Sequence, residues 1–167
     1  MPDEETIERA RQDEREGKSA STQAGEFIRE EMHHIREGKH GARSPEQAIA
    51  IGLSKARRAG VKLPPPKRGR TSPETRVKAE RDLKRAHKPA KRAPSRRRSR
   101  ATIGALRREG RSSASRAAVS THARMAARRR GPRQRHESAM KAVHTKGPEG
   151  LREEAQKAAG TRTENAE

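Results

Sequence analysis

Five residues in the first quarter of the chain have side chains that are suited to chemistry. They are three histidines and two glutamates, which as a set have the donor types for zinc binding or proton transfer: His33, His34, His40, Glu30 and Glu31. Adjacent histidines point about 100° apart on a helix, and His33 falls opposite the apolar residues of its segment. We therefore predict no metal, cofactor or catalytic residue here, and we expect the histidines to face solvent or phosphate. Glu31 falls among the apolar residues, so we expect it to pair with a basic side chain.

The composition leaves little apolar material for a core. Of the 167 residues 28% are hydrophobic, with one Phe and no Trp, Tyr or Cys, which is too little to offset chain entropy over the whole length. The sequence predicts a mostly α-helical fold with extensive disorder, made of a small αα-hairpin and a basic arm of conditional helices. The sequence contains no His-Glu-x-x-His, Walker loop or nucleophile elbow, so we predict that the protein is not an enzyme.

The net charge of +20 is concentrated in one block. Residues 61–146 contain 28 Lys and Arg but only five Asp and Glu, and such a block stays extended until a polyanion neutralises it. We predict four parts: an acidic solvated helix or tail at 1–20, an amphipathic helical hairpin at 22–60, a basic, largely disordered arm at 61–146 and a mixed-charge tail at 147–167. The charge favours nucleic acid as the partner. Because aromatic platforms are scarce, duplex DNA is favoured over single strands, with structured RNA as the alternative.

Residues 22–60 carry the signals of two helices joined by a turn. The first has a cap at Ser21 or Thr22 and ends at Gly38, with an apolar stripe formed by Ala24, Ile28, Met32 and Ile35, and Phe27 at its edge. The second has a Ser44 to Gln47 capping box and ends at Gly60. Its apolar face is built largely from small residues, so that another helix can approach closely: Ala48, Ile49, Gly52, Leu53, Ala56 and Ala59. Two helices of this size are marginal alone, so we expect them to pair with a second copy or a protein partner.

The second helix has two interpretations. In a helix-turn-helix DNA reader it would present Lys55, Arg57 and Arg58 to DNA. The turn GKHGAR is longer than the usual three or four residues, which favours a plain folded hairpin.

The string SPEQAIAIGLSKARRAGVKLPPP at 44–66, with GEFIREEMHHIREGKHGAR before it, resembles a family of small uncharacterised bacterial proteins. Members have a Gln-Ala-Ile-Ala-Ile-(Gly/Ala)-Leu-Ser-x-Ala-Arg core followed by Ala-Gly and a proline. The resemblance covers about residues 25–66 and implies a domain of unknown function from a bacterium. Some members are loosely labelled DNA-binding, and the family implies no activity or catalytic residue.

The segment PPPKRGRTSPE at 64–74 follows the hairpin. Its Lys67, Arg68, Gly69 and Arg70 are similar to the AT-hook, an extended Arg-Gly-Arg-Pro segment that lies in the minor groove of A·T-rich DNA. Glycine lets the backbone reach the groove floor, and the arginines lie along it. Thr71 stands where the AT-hook has proline, and a generic phosphate-binding linker is the alternative.

The rest of the basic arm shows helical fragments with thin apolar stripes. We expect a polar helix from Val77 to His87, extended chain over Lys88 to Arg100, and helices between Ala101 and Arg130 that break near Gly110 and end at Gly131. In composition the arm resembles the tails of linker histones and bacterial histone-like proteins. We expect its helices to order when phosphates neutralise two clusters, namely Arg96, Arg97 and Arg98, and Arg128, Arg129 and Arg130.

These observations predict a non-enzymatic nucleic-acid-binding protein of the bacterial cytoplasm or nucleoid, with DNA favoured. No apolar run reaches the ~18 residues that span a bilayer, so we expect no membrane contact. The first alternative is a protein-interaction or dimerisation module with a basic localising arm. The second is an RNA-associated or ribosome-associated factor.

Overall fold

The structure, a computed structural model, describes residues 2–86 and 95–164. It contains six helices in those ranges and a short 3-10 turn, Ser112–Ala114, with no strand among the described residues. The helices are α1 Glu4–Arg15, α2 Ala20–Arg36, α3 Pro45–Arg58, α4 Pro73–Ala86, α5 Arg96–Arg108 and α6 Arg116–Glu164. The predicted mostly α-helical fold is confirmed. The chain divides into two compact units, Met1–His122 and Ala123–Glu167.

Helices α2 and α3 form the centre of the first unit, and small residues set their spacing. Ala24, Ala48 and Ala56 are fully buried. A Cβ added at Gly52 would lie 2.8 Å from the Cα of Ile28, so the two backbones approach more closely than any larger residue allows. The predicted small-residue face of the second helix is therefore the face that contacts α2.

The ends of these two helices follow local sequence signals. Ser19, and not Ser21 or Thr22, caps α2 by accepting from the backbone N–H of Thr22 at 3.3 Å. Ser44 caps α3 as predicted, accepting from the N–H of Gln47 at 3.3 Å. Gly38 and Gly60 follow the two C-termini with φ of 80° and 105°, a conformation that glycine adopts without steric cost.

Helix α1 packs on α2 and does not stand apart as the solvated helix that its charge pattern predicted. Ala10 is buried in a cluster with Ala24, Phe27, Ala56 and Val61. Phe27 is 1% exposed and so belongs to the core, whereas the sequence placed it at the edge of the stripe. The first unit therefore gains core area from a segment that was predicted to be a solvated helix or tail.

Polar contacts reinforce the packing of α1 on α2. Arg9 Nε donates to Glu26 Oε2 at 2.7 Å, and the backbone N–H of Asp3 donates to Glu30 Oε2 at 3.1 Å. Arg29 also donates to Glu26. Burial tends to raise the pKa of Glu26, but the hydrogen bonds from its two arginines outweigh burial and lower that pKa.

Part of the predicted basic arm also belongs to the first unit. The backbone N–H of Gly41 donates to Leu106 O at 2.9 Å, and that of Ala42 donates to Gly110 O at 3.1 Å. Ala114 is fully buried in a second cluster with Met32, Ile35, Ala42 and Ala48, which joins residues 106–114 to the loop between α2 and α3. The thin stripe at Ala114 was predicted to be too small to hold this segment, and that prediction is wrong because the segment is also held by backbone hydrogen bonds.

Helix α4 packs on α3 through the buried Ala79 and Asp82. Ser54 Oγ donates to Asp82 Oδ2 at 2.5 Å. This helix begins four residues before the predicted Val77, and His87 lies outside the described residues. The described part of the predicted extended chain at 88–100 is instead helical from Arg96 onward, whereas residues 88–94 lie outside the described residues.

Helix α6 begins at Arg116 in the first unit and is interrupted at Gly131 and Gly147, which have φ of 71° and 65° and are each followed by proline. The predicted breaks near Gly110 and at Gly131 are confirmed. In the second unit, most of residues 123–160 are exposed and none of them is buried. Among the described residues no helix is both long enough and apolar enough to cross a bilayer.

Candidate nucleic-acid interface

The three cations predicted on α3 do not share one exposed face. Lys55 lies inward, with a side chain that is 14% exposed. Its Nζ lies 2.9 Å from Glu30 Oε1 and 2.7 Å from Glu31 Oε2. The prediction that Glu31 pairs with a basic residue is confirmed, but the same contact removes Lys55 from the predicted surface.

The electrostatics of this buried group follow from its pairing. Burial alone would lower the pKa of Lys55, but hydrogen bonds and charge from Glu31 and Glu30 outweigh it and raise that pKa. Burial alone would raise the pKa of Glu30, but Lys55 and the backbone N–H of Asp3 lower it. Lys55 therefore neutralises charge inside the fold.

Arg57 has a structural role as well. It is 7% exposed, and its guanidinium donates to Leu63 O at 3.2 Å and to Pro64 O at 3.3 Å. These bonds hold the start of the proline segment against the end of α3. Burial lowers the pKa of Arg57, with the charge of Asp82 opposing that shift. Of the three, only Arg58 has a side chain on the surface, where it donates to Ser54 O at 3.2 Å and lies 4.0 Å from Asp82 Oδ1.

The AT-hook-like segment forms a turn. Arg70 N–H donates to Lys67 O at 3.1 Å, and Gly69 has a φ of 78°, as the third position of a type II turn requires. The four residues Lys67 to Arg70 are exposed. Their predicted extended shape is not present, because glycine provides the turn conformation that closes the hydrogen bond.

Helix α5 presents arginines with no acidic neighbour in the helix. Its thirteen residues include six arginines, no Asp or Glu and no buried residue. At about 100° per residue, five arginines fall within an arc of about 120°, and this basic face consists of Arg96, Arg97, Arg100, Arg107 and Arg108. The other arginine, Arg98, points to the opposite side. Within the described residues none of the six arginines forms an ion pair with a carboxylate.

The sequence interpretation named Arg96, Arg97 and Arg98 but missed the other arginines of this face. It predicted extended chain up to Arg100 and a helix only from Ala101 onward, so Arg96, Arg97 and Arg100 were not placed on the same helix as Arg107 and Arg108. The signal for a helix was the run of Arg, Ala and Leu after Ser95, since these residues have high helix propensity. A helical wheel would then have separated Arg98 from its neighbours.

The second predicted cluster lies in the second unit. Arg128, Arg129 and Arg130 are exposed in the turn of α6 that precedes Gly131. Because consecutive helical residues point about 100° apart, these three arginines surround the helix and do not form one face.

Residues 15–68 match the model of a family of unknown function (DUF6496). The match covers less than half of the chain. It runs from the end of α1 through α2 and α3 into the turn at Lys67 to Arg70, called the KRGR turn below. It confirms that this part of the chain resembles an uncharacterised domain. No curated protein and no solved structure matches the chain. Helix α5 lies outside the matched segment, as do residues 109–114.

Proposed function

We propose that this protein binds nucleic acid, with duplex DNA favoured, through phosphate contacts made by the basic face of α5. The observation that carries the proposal is a helix with six arginines and no carboxylate, exposed along its length. In this proposal the protein is not an enzyme, and it acts at the bacterial nucleoid. The arginines of the KRGR turn and of residues 128–130 would add contacts that depend little on sequence.

The attachment of α5 strengthens the proposal. Leu106 O and Gly110 O accept hydrogen bonds from the loop between α2 and α3, so the C-terminal end of α5 is held on the folded unit. A helix that is already positioned loses less entropy on binding than a free polycation. The loop between α2 and α3 therefore fixes the C-terminal end of the basic helix on the first unit.

The shape of α5 favours DNA over duplex RNA. An α-helix is about 10–12 Å wide with its side chains, and the major groove of B-DNA is about 12 Å wide. The major groove of A-form RNA is too narrow and deep for side chains to read. Sequence-specific RNA recognition would instead use single-stranded loops, for which the chain has no Trp or Tyr and one buried Phe.

The protein-interaction alternative depended on an uncovered apolar face on the hairpin. In this structure α1 and residues 112–119 contribute to the clusters that cover much of that face. Among the described residues, the six arginines of α5 by contrast form no ion pair with a carboxylate. We therefore keep nucleic-acid binding as the proposal and docking on a protein as an outcome of its test.

The test is fluorescence anisotropy with a labelled duplex of mixed sequence, between 50 and 200 mM salt, using the full chain. The triple variant R96Q/R100Q/R107Q removes three cations of the basic face. Each lost phosphate contact should reduce the slope of log K against log salt by about 0.9, so we expect a reduction of about three.

A matched control removes the same charge elsewhere. Arg11, Arg43 and Lys78 are exposed and lie on other elements, so R11Q/R43Q/K78Q should leave the slope near that of the wild type. An equal reduction in both triple variants would contradict the assignment to α5. A wild-type chain that binds neither duplex DNA, duplex RNA nor single strands would overturn the proposed function.

A further inference from the structure

A second cluster of functional side chains lies away from α5, between α2 and the loop that precedes α3. Glu31 is fully buried, and the side chains of His34 and His40 are 12% and 16% exposed. One donor atom from each of these three residues lies within 4.8 Å of the others. Donors around a tetrahedral zinc ion stand about 3.4 Å apart, so a small inward movement would bring these three into contact with one ion.

The hydrogen bonds of His40 orient one ring nitrogen toward Glu31. Nδ1 of His40 lies 3.2 Å from Gly41 O, and a carbonyl only accepts, so Nδ1 carries the proton. The other ring nitrogen, Nε2, lies 3.4 Å from Glu31 Oε1. This geometry places a second nitrogen and a carboxylate oxygen side by side, where both could coordinate one cation.

Glu31 supplies an independent observation. Both of its carboxylate oxygens are completely buried and lack a well-aligned hydrogen bond from the described residues, although buried polar atoms are nearly always hydrogen-bonded. Lys55 Nζ forms an ion pair with one of them, Oε2, at 2.7 Å. The carboxylate is thus held on one side and has an unused acceptor on the side of the histidines.

His34 is oriented in a similar way. Its Nε2 lies 3.2 Å from Asp3 Oδ2, and its Nδ1 lies 3.8 Å from Glu30 Oε1. A carboxylate on one nitrogen of a histidine is the usual means of fixing the tautomer of a metal ligand. The local charge also favours a dication, because Glu30 and Glu31 share the ammonium of Lys55 and Asp3 adds a third carboxylate beside His34.

We propose that Glu31, His34 and His40 bind a Zn²⁺ ion, with water as the fourth ligand. Two imidazoles and one carboxylate form a donor set that suits zinc, whereas calcium and magnesium prefer oxygen donors alone. Gly41 O and Asp3 orient the two rings, and Lys55 retains Oε2 of the carboxylate. The ion would tie the loop that carries His40 to α2, beside the backbone hydrogen bonds that hold residues 106–110.

The test uses the full chain, freed of metal with a chelator, and zinc chloride as the probe. Calorimetric titration should show one tightly bound ion per chain. His34→Gln and His40→Gln should each weaken zinc binding by at least about tenfold. Replacing a residue that only hydrogen-bonds a metal ligand already lowers metal affinity by about that factor. At a zinc concentration about 100 times Kd, the Tm of the wild type should rise by about 5–10 °C.

His33→Gln is the matched control, because His33 lies on the same helix next to His34 but its side chain is 68% exposed. It should bind zinc like the wild type. Equal affinity in all three variants would assign binding to other histidines and overturn the proposal, as would a wild type whose Tm is the same with zinc and with chelator. If His40→Gln misfolds, X-ray absorption on the zinc-loaded wild type decides, because the site requires two imidazole ligands.

Discussion

Gly41→Ala tests the contact that joins the basic helix to the folded unit. A Cβ at Gly41 would lie 2.0 Å from Glu109 O and 2.7 Å from Gly110 O. Since Gly41 does not have a positive φ, alanine fits the backbone there and only this close approach opposes it. Ordinary contact for a Cβ begins at 3.4 Å, so residues 109–110 would have to move away by more than about 1 Å. The Gly41 and Ala42 hydrogen bonds would then break.

Each of those hydrogen bonds contributes about 1 kcal/mol, so local opening should become easier by about 2 kcal/mol. The assay is hydrogen exchange at the Gly41 and Ala42 amides, which should exchange about 30-fold faster in the variant. Gly25→Ala is the control: Gly25 lies inside α2 with nothing within 4 Å of its added Cβ, so it should stabilise the protein by up to about 1 kcal/mol. Unchanged protection of both amides in Gly41→Ala would show that residues 106–110 do not dock on the loop.

Two further changes test the packing of α2. Gly52→Ala should lower the free energy of unfolding by about 1–3 kcal/mol in urea denaturation, because its Cβ would meet the backbone of Ile28 at 2.8 Å; stability equal to that of the wild type would contradict the packing. Glu26→Gln should cost about 1 kcal/mol at neutral pH, whereas Glu5→Gln should cost little, because the Glu5 side chain is 83% exposed. The pKa of Glu26 is lowered in the fold, so its contribution is complete above the ordinary value of 4.5 and is lost as the pH falls through the lowered value. A wild-type advantage over Glu26→Gln that grows toward low pH would refute that sign.

Local signals predicted the parts of the fold that depend on neighbours in sequence. The Ser44 cap, the glycines that follow α2 and α3, and the small-residue face around Gly52 all arise within a few turns of helix. The attachment of α1 and of residues 106–114 could not be read in this way. Ala10 and Ala114 have side chains too small to mark a core position, and they are buried because distant segments meet there.

The same distinction explains the outcome for the candidate sites. The rule that adjacent histidines diverge on a helix correctly separated His33 from His34, but it did not address His40, which a loop brings back toward Glu31. Likewise, a helical wheel places Lys55 and Arg58 on one flank of α3 without showing which of them meets a carboxylate. Only the tertiary packing of α2 on α3 decides that Lys55 is internal.

The acidic residues of the first unit divide its cations into two groups, those that pair with a buried carboxylate and those that do not. Buried carboxylates at Asp13, Glu30, Glu31 and Asp82 each have a basic side chain within 4.0 Å, because an unpaired buried charge is costly. Cations that meet these groups stabilise the fold and are not free to bind phosphate. Helix α5 contains no acid and no buried residue, so its arginines are not used in pairing of this kind. Net charge alone therefore overstates the number of cations open to the proposed partner, and the positions of the carboxylates show which cations the fold already uses.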